Sequence, residues 1–424
     1  MDLNFEGEFW LPEQPDKKVA GTLKLSQSEG TELSLIGGFG SQGMTSFWED
    51  SETVRRIIGS STKELYTLDR CFQTHGQMNF SGAHRQKYSV GLIIEGASYA
   101  KDEELTFDGI GVEVTNFLNW AGVSGVSQEF STSPKNGYSI KVEGLDTVSA
   151  PFSDGNIEVR HGYRTSSKTN REFTIRQFAD VKFSFNSILS LSRAMDYASD
   201  LQDLVTMATD RVCSFEEFLL YHPDFTEDNE RMGRQSVKLL VQQVAQAGSE
   251  KHVFGDSIAF SFSDIGEIDG IVRWMEACKK YRSQLGRVMA TKYNRYLYVS
   301  DKFFGRAAAL ESLHKAVSGK SNMTYRNRIL ECIGDVSAHF KLLVPDNKFN
   351  RWATVIKDDR NNIAHHAGRI LHQHEAELYF FGEAAYWLFV LYYLKIGDAP
   401  NAALDRVTEN GHFKWTAQRM LEFL

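Results

Sequence analysis

The chain predicts an α+β multidomain protein: a β-rich N-terminal domain (sandwich- or barrel-like), a mixed connecting region and a C-terminal all-helical bundle. Three observations carry that expectation. Through the first 185 residues, apolar residues alternate in short runs between Gly, Ser, Asn and Asp turn clusters. From Asn186 the period lengthens to a helical one. Beyond residue 280 the pattern is helical throughout. The predicted domains are therefore 1–185, 186–285 and 286–424.

Strands are expected at Val19–Leu25, Leu33–Leu35, Tyr88–Ile94, Ile110–Val114, Tyr138–Val142, Ile157–Arg160 and Phe173–Phe185. Strands this frequent, without long helices between them, argue against a doubly wound sheet. Ile188, Leu189, Met195, Leu201, Leu204, Val205 and Met207 then recur at helical spacing up to Cys213. A short β-like return (Val237–Val241, Ile258–Phe262) precedes a helix from near Ile268. Val299, Phe303, Ala307, Leu310 and Val317 form the first apolar stripe of the bundle. Asn327–Leu343 forms a second, ended by Pro345, and Glu375–Ile396 a third, ended by Gly397.

Composition bounds the function. With 42% hydrophobic and 24% charged residues over 424 positions, the chain has the makeup of a globular protein with ample core. The longest unbroken apolar run, the eleven residues Ala384–Leu394, is too short to cross a bilayer and fits a buried helix. The start MDLNFEGEFW has neither a basic head nor an apolar signal stretch. Cys71, Cys213, Cys278 and Cys332 lie more than fifty residues apart, so a reduced, cytoplasmic protein without membrane contact is expected. The net charge of −8 divides unevenly: residues 291–424 hold 18 basic and 14 acidic side chains, the rest 29 and 41. Within residues 291–360 the balance is 13 to 7, a local basic surface able to hold a phosphate backbone or, equally, an ordinary solvated helix face.

Two glycine motifs are set aside. Gly38-Phe39-Gly40-Ser41-Gln42-Gly43 has dinucleotide-binding spacing, but no long helix or parallel strand follows, so it reads as a glycine-rich hairpin. Gly319-Lys320-Ser321 follows a helix and not a strand, which makes Gly319 a helix C-cap. Five of the twelve histidines (His339, His365, His366, His372, His374) fall within 36 residues, yet no cysteine or carboxylate cluster completes a ligand set. No metal or other cofactor is expected.

Asp358-Asp359-Arg360-Asn361-Asn362-Ile363-Ala364-His365-His366 stands apart. It reads as the start of a helix, capped by Asp358 or Asp359, with Arg360 in the first turn. Arg360 and His365 fall about 140° apart on an ideal helix, so they share a cleft only if Arg360 swings. A guanidinium fork for phosphate oxygens and an imidazole that moves protons near neutral pH would then meet, with helix amides favouring an anion. On spacing alone, a surface arginine and a helix-packing histidine are the commoner meaning of such a pattern.

The context resembles a HEPN domain. The motif lies in a helical bundle behind the helix Lys302–Lys315, and Arg360-Asn361 followed by His365 matches the R-x(4–6)-H form of HEPN ribonucleases, in which asparagine often follows the arginine. The opening Gly7-Glu8-Phe9-Trp10-Leu11-Pro12 with Val19-Ala20-Gly21-Thr22-Leu23 is similar to the N-terminal domain of ApeA-type bacterial anti-phage proteins, where such a domain precedes a HEPN module. The resemblance implies a metal-independent endoribonuclease acting in abortive infection. Arg360 and His365 would be catalytic, and Asn361 would orient the phosphate or the imidazole. His366 also falls within the permitted spacing, so either histidine can be the acid or base. The resemblance further implies an RNA substrate, a homodimer or larger even-numbered assembly through the bundle, and a phage protein as trigger. Glu311 either supports the site or is solvated, while His314 is expected as a hydrogen-bonded core residue. The competing expectation is a non-catalytic HEPN module for RNA or nucleotide binding or dimerisation, joined to a β-rich sensor.

Overall fold

The computed structural model describes residues 3–39, 55–62, 64–77, 85–132, 137–169, 172–225, 236–243, 257–365 and 375–424. They form two compact units that interleave along the chain. The first unit comprises Met1–Glu113, Asp180–Ala198 and Phe215–Val244; the second comprises Val114–Ala179, Ser199–Ser214 and Ala245–Leu424.

Eight strands open the chain: β1 (Leu3–Trp10), β2 (Val19–Ser26), β3 (Gly30–Ile36), β4 (Arg55–Ser60), β5 (Leu65–Gln77), β6 (Arg85–Ser89), β7 (Leu92–Glu95) and β8 (Thr106–Val114). A short helix α1 (Phe117–Ala121) leads to β9 (Val126–Ser131), β10 (Gly137–Val142), β11 (Val148–Phe152), β12 (Gly155–Thr169) and β13 (Glu172–Ser190). Then come α2 (Leu191–Thr209), β14 (Phe215–Tyr221) and β15 (Ser236–Leu240).

In the first unit the order β5-β4-β1-β2-β3-β6, with β6 pairing back onto β5, closes a six-stranded antiparallel barrel. Closure leaves these strands no free edge. Period-two alternation fills it: Leu23 faces Leu33 across β2–β3, Tyr88 faces Leu33 across β3–β6, and all three are buried with Phe9, Ile57 and Leu68. At Gly59 a Cβ would lie 2.7 Å from the Phe9 ring, so the β1–β4 seam needs glycine there. Of the two expected β shapes, the barrel is the one formed. Outside it, β7, β15, β14, β8 and the Asp180–Ser190 part of β13 extend the sheet.

The run expected as one strand over Tyr88–Ile94 is two, β6 and β7. At its middle Val90 N–H bonds Thr31 O while Gly91 N–H bonds Asp69 O, so the backbone changes neighbours there. Ile258–Phe262 is not a strand. Ala259 and Phe260 N–H both reach Ala208 O, Phe260 O accepts from Trp120 Nε1, and Phe262 stands edge-on to the buried Trp120 ring.

The second unit holds the bundle: α3 (Glu267–Tyr293), α4 (Val299–Ser318), α5 (Tyr325–Asp335), α6 (Ser337–Phe340), α7 (Phe349–Ala364), α8 (Glu375–Ile396), α9 (Asn401–Glu409) and α10 (Gly411–Met420). The stripe expected over Asn327–Leu343 breaks at Val336 (φ −128°), giving α5 and α6. Gly319 ends α4 at φ 67°, the C-cap expected of it. Every residue of α8 from Phe380 to Leu394 is buried, and α4, α5, α6, α9 and α10 pack around it. A helix apolar on all sides is a core helix. No helix among the described residues is long and apolar enough to cross a membrane.

Candidate functional site

The motif around Arg360 sits at the opposite end of its helix from the one expected. α7 begins at Phe349, after Pro345 and a short 3-10 turn, and ends at Ala364. Asp358 and Asp359 lie inside it and cap nothing. The amide end of the helix is therefore remote from Arg360, and the carbonyl end is close. Attraction for an anion must come from the guanidinium, because helix C-terminal carbonyls carry partial negative charge.

Trp352 and Ile356 are buried, with Trp352 edge-on to Phe340. Arg360 is the next residue in that four-residue series, so it follows the inward stripe. One terminal nitrogen donates to Glu311 Oε2 of α4 at 2.7 Å, and the other to Asn361 Oδ1 at 3.1 Å. The guanidinium lies 5.3 Å over the ring of Tyr325. Tyr325 is itself fixed by donating to Ala307 O, one turn from Glu311 on α4. Burial, and then the Glu311 carboxylate, push the Tyr325 phenol well up, so it remains a neutral platform. Arg360 Nε is buried without a hydrogen-bond partner among the described residues. Of the five guanidinium N–H donors, two are committed to described residues and the Nε one is buried, which leaves one on each terminal nitrogen.

His365 follows the last helical residue at φ −104°, its backbone N–H bonded to Asn361 O at 3.0 Å. Its side chain is exposed and makes no hydrogen bond to a described residue. The structure thus joins Arg360 to Asn361, Glu311 and Tyr325, and leaves His365 beside them on the helix-terminal turn, without a contact to Arg360. His366, His372 and His374 lie outside the described residues, as do Gly40, Ser41, Gln42 and Gly43. His339 is engaged with Asp405 at 2.9 Å. His314 is the core histidine expected, 2.8 Å from Glu331 and 3.4 Å from Arg328.

A second charged cluster went unread in the sequence. Asp210 ends α2 at φ 52° and accepts from Lys292 Nζ at 2.5 Å and His412 Nδ1 at 2.7 Å. His412 Nε2 lies 3.5 Å from Glu383 Oε2, and Glu383 Oε1 accepts from Arg306 at 2.6 Å. Burial opposes the Asp210 charge, but Lys292 and His412 outweigh it and hold the carboxyl down to about 2. A 440 Å³ pocket adjoins, lined by Thr209, Asp210, Arg211, Ser257, Asn410, Gly411 and His412. Its Asp210, Thr209 and Asn410 side chains are all bonded within the protein, so the cluster staples helices. No sequence spacing links residues 210, 292, 306, 383 and 412; only the fold does.

The family model described as ApeA N-terminal domain 1 matches residues 4–274, more than half of the chain. The match covers the barrel and the start of α3 and stops before the Arg360 site. No curated protein and no solved structure matches. The chain belongs to the ApeA N-terminal domain 1 family and is an ApeA-like defence protein.

Proposed function

We propose that this anti-phage protein acts in abortive infection as a metal-independent HEPN-type endoribonuclease, with Arg360 and His365 as its catalytic residues. The observation that carries the reading is the state of Arg360: aimed by Glu311, Asn361 and Tyr325, yet keeping an N–H donor on each terminal nitrogen, about one turn from the His365 imidazole, which bonds no described residue. In the reaction the ribose 2′-oxygen bonds to the adjacent phosphorus and the P–O5′ bond breaks. The 2′-hydroxyl proton leaves to a base and the 5′-oxygen takes one from an acid, giving a 2′,3′-cyclic phosphate and a 5′-hydroxyl. His365 serves proton transfer, a role worth about 10²–10⁴-fold. Arg360 neutralises charge on the phosphorane oxygens. Asn361 positions the guanidinium, since its oxygen already accepts from Arg360. Acid and base act in one turnover, so two copies of the motif facing each other in a homodimer supply both; a phage protein is the trigger.

Total RNA incubated with the purified protein in EDTA tests this. Cleavage that survives chelation and disappears in His365→Ala supports it; RNA held intact in a stable complex overturns it. One observation favours a second reading, a binding module without turnover: Glu311 already occupies part of the Arg360 fork.

A further inference from the structure

Helix α3 is interrupted at Tyr281, whose backbone (φ −127°, ψ 21°) leaves helical geometry before the helix resumes. Val336 has nearly the same angles, φ −128° and ψ 21°, and there α5 gives way to α6. Tyr281 therefore divides α3 into two arms, 267–280 and 282–293. The family-matched residues end at 274, inside the first arm. The second arm leads directly into α4, which carries Glu311.

The first arm is anchored on Trp274, whose ring lies 5.0 Å from that of Tyr393 and whose Nε1 donates to Asp200 O of α2 at 2.8 Å. The second arm is held to the same helix by polar contacts at both ends. Just past the interruption, Arg282 pairs with Asp203 and, through Nε at 3.0 Å, with Asp200. At the far end Tyr293 donates to Asp203 at 2.5 Å and Lys292 donates to Asp210. Asp200 and Asp203 are buried, whereas 40% of the Arg282 side chain meets solvent. Ion pairs set this way contribute little net stability, so their use here is to fix where the second arm lies.

Helix α4 is fastened to that arm. Thr291 Oγ1 accepts from Arg306 Nε at 3.1 Å, and a Cβ on Gly305 would lie 3.1 Å from Thr291 Cγ2. Five residues beyond Arg306, Glu311 meets Arg360 at 2.7 Å. We infer that Tyr281 is a hinge, and that Arg282, closed on Asp200 and Asp203, is the latch that keeps Glu311 within reach of Arg360; only the consequence for RNA rests on the ribonuclease reading. Hinge motion is absorbed by a few element-terminal residues, which is the place Tyr281 has between the arms. Opening the latch swings the second arm with α4, withdraws Glu311 and leaves the guanidinium unaimed. Arg282 is thus a positioning residue that touches no substrate.

The test is hydrogen exchange and RNA cleavage in EDTA, both on the full chain. Asp200→Asn, Asp203→Asn and Arg282→Met together remove the latch without leaving a buried carboxylate unpaired. Amides of 282–293 should then exchange roughly tenfold faster or more, while those of 267–280 keep the parent rate. Cleavage should slow about tenfold with KM nearly unchanged, because aim is lost and not binding. Adding Glu311→Gln should cost nothing further, since both changes act through one contact. Arg282→Lys keeps the charge but serves one carboxylate at a time; it should fold where the triple variant does not, and show the same changes in smaller degree. Exchange that rises equally in both arms, or in neither, overturns the hinge. Additive losses from the latch and Glu311→Gln overturn its link to Arg360. A second arm that opens while no form, the parent included, cleaves RNA would instead overturn the nuclease reading alone.

Discussion

Two of the bundle's arginine–carboxylate pairs have similar length and opposite character. Arg306 and Glu383 meet at 2.6 Å with both side chains under a tenth exposed, inside a chain of partners that runs through His412 to Asp210 and Lys292. Arg360 and Glu311 meet at 2.7 Å with about a quarter to a third of each side chain in solvent, and with guanidinium donors to spare. The first pair is shut away from solvent, with Arg306 Nε also donating to Thr291 Oγ1 at 3.1 Å, so a ligand cannot reach it and its value is structural. The second has modest value as an ion pair, because solvent screens it. What distinguishes a candidate site from a staple here is unfinished hydrogen bonding at a reachable place, not the strength of the pairing.

The sharpest way to break this contrast is at the motif. His365→Ala and Arg360→Ala should each lower RNA cleavage about 10²–10⁴-fold. His365 is exposed and packs against nothing described, so its removal should move the urea midpoint little. Arg360→Lys should not rescue, since an ammonium lacks the planar fork. Full activity in Arg360→Lys would remove the reason for assigning Arg360 to phosphate.

The staple should answer in the opposite sense. Lys292→Ala leaves the Asp210 carboxylate buried beside His412 alone, and breaking such a pair costs about 3–5 kcal/mol. Urea denaturation should register that loss, and a change under about 1 kcal/mol would mean the network is incidental. Acid provides a gentler probe of the same residues. Asp210 is depressed in the folded state, so its contribution is complete above the unfolded carboxyl value near 4 and disappears as pH falls toward 2. The pH dependence of the midpoint in that window should flatten in Asp210→Asn; an unchanged profile would place the acid sensitivity elsewhere.

How far the sequence revealed this molecule follows from which signals are local. Strands such as Val19–Ser26 and the helix Glu375–Ile396 were legible because their periodicity is written in consecutive residues. β5 was not: Arg70 at φ 55° and a register shift between Gln73 and His75 interrupt its alternation. The end of α7 was misplaced because two aspartates followed by a polar run look like an N-cap, while Trp352 and Ile356 had already committed the preceding residues to helix. Arg360 could be picked out by type and spacing. Its aim at Glu311 and Tyr325 could not, since residues 311, 325 and 360 meet only when three helices pack.

That meeting yields the smallest effect and the finest discrimination between enzyme and binder. Glu311→Gln keeps an oxygen for Arg360 but removes the charge, and with both side chains part-exposed the stability loss should stay within about 1 kcal/mol. If Glu311 aims the guanidinium, the neutral variant should cleave RNA about tenfold more slowly with KM nearly unchanged, because orientation matters most in the transition state. If Glu311 instead competes with phosphate for the fork, the same variant should bind RNA more tightly and cleave no more slowly. Single-turnover rates and RNA affinity measured side by side separate these outcomes. Only the first leaves Arg360–Glu311 as part of a catalytic apparatus, set apart from the Arg306–Glu383 staple by function as well as by exposure.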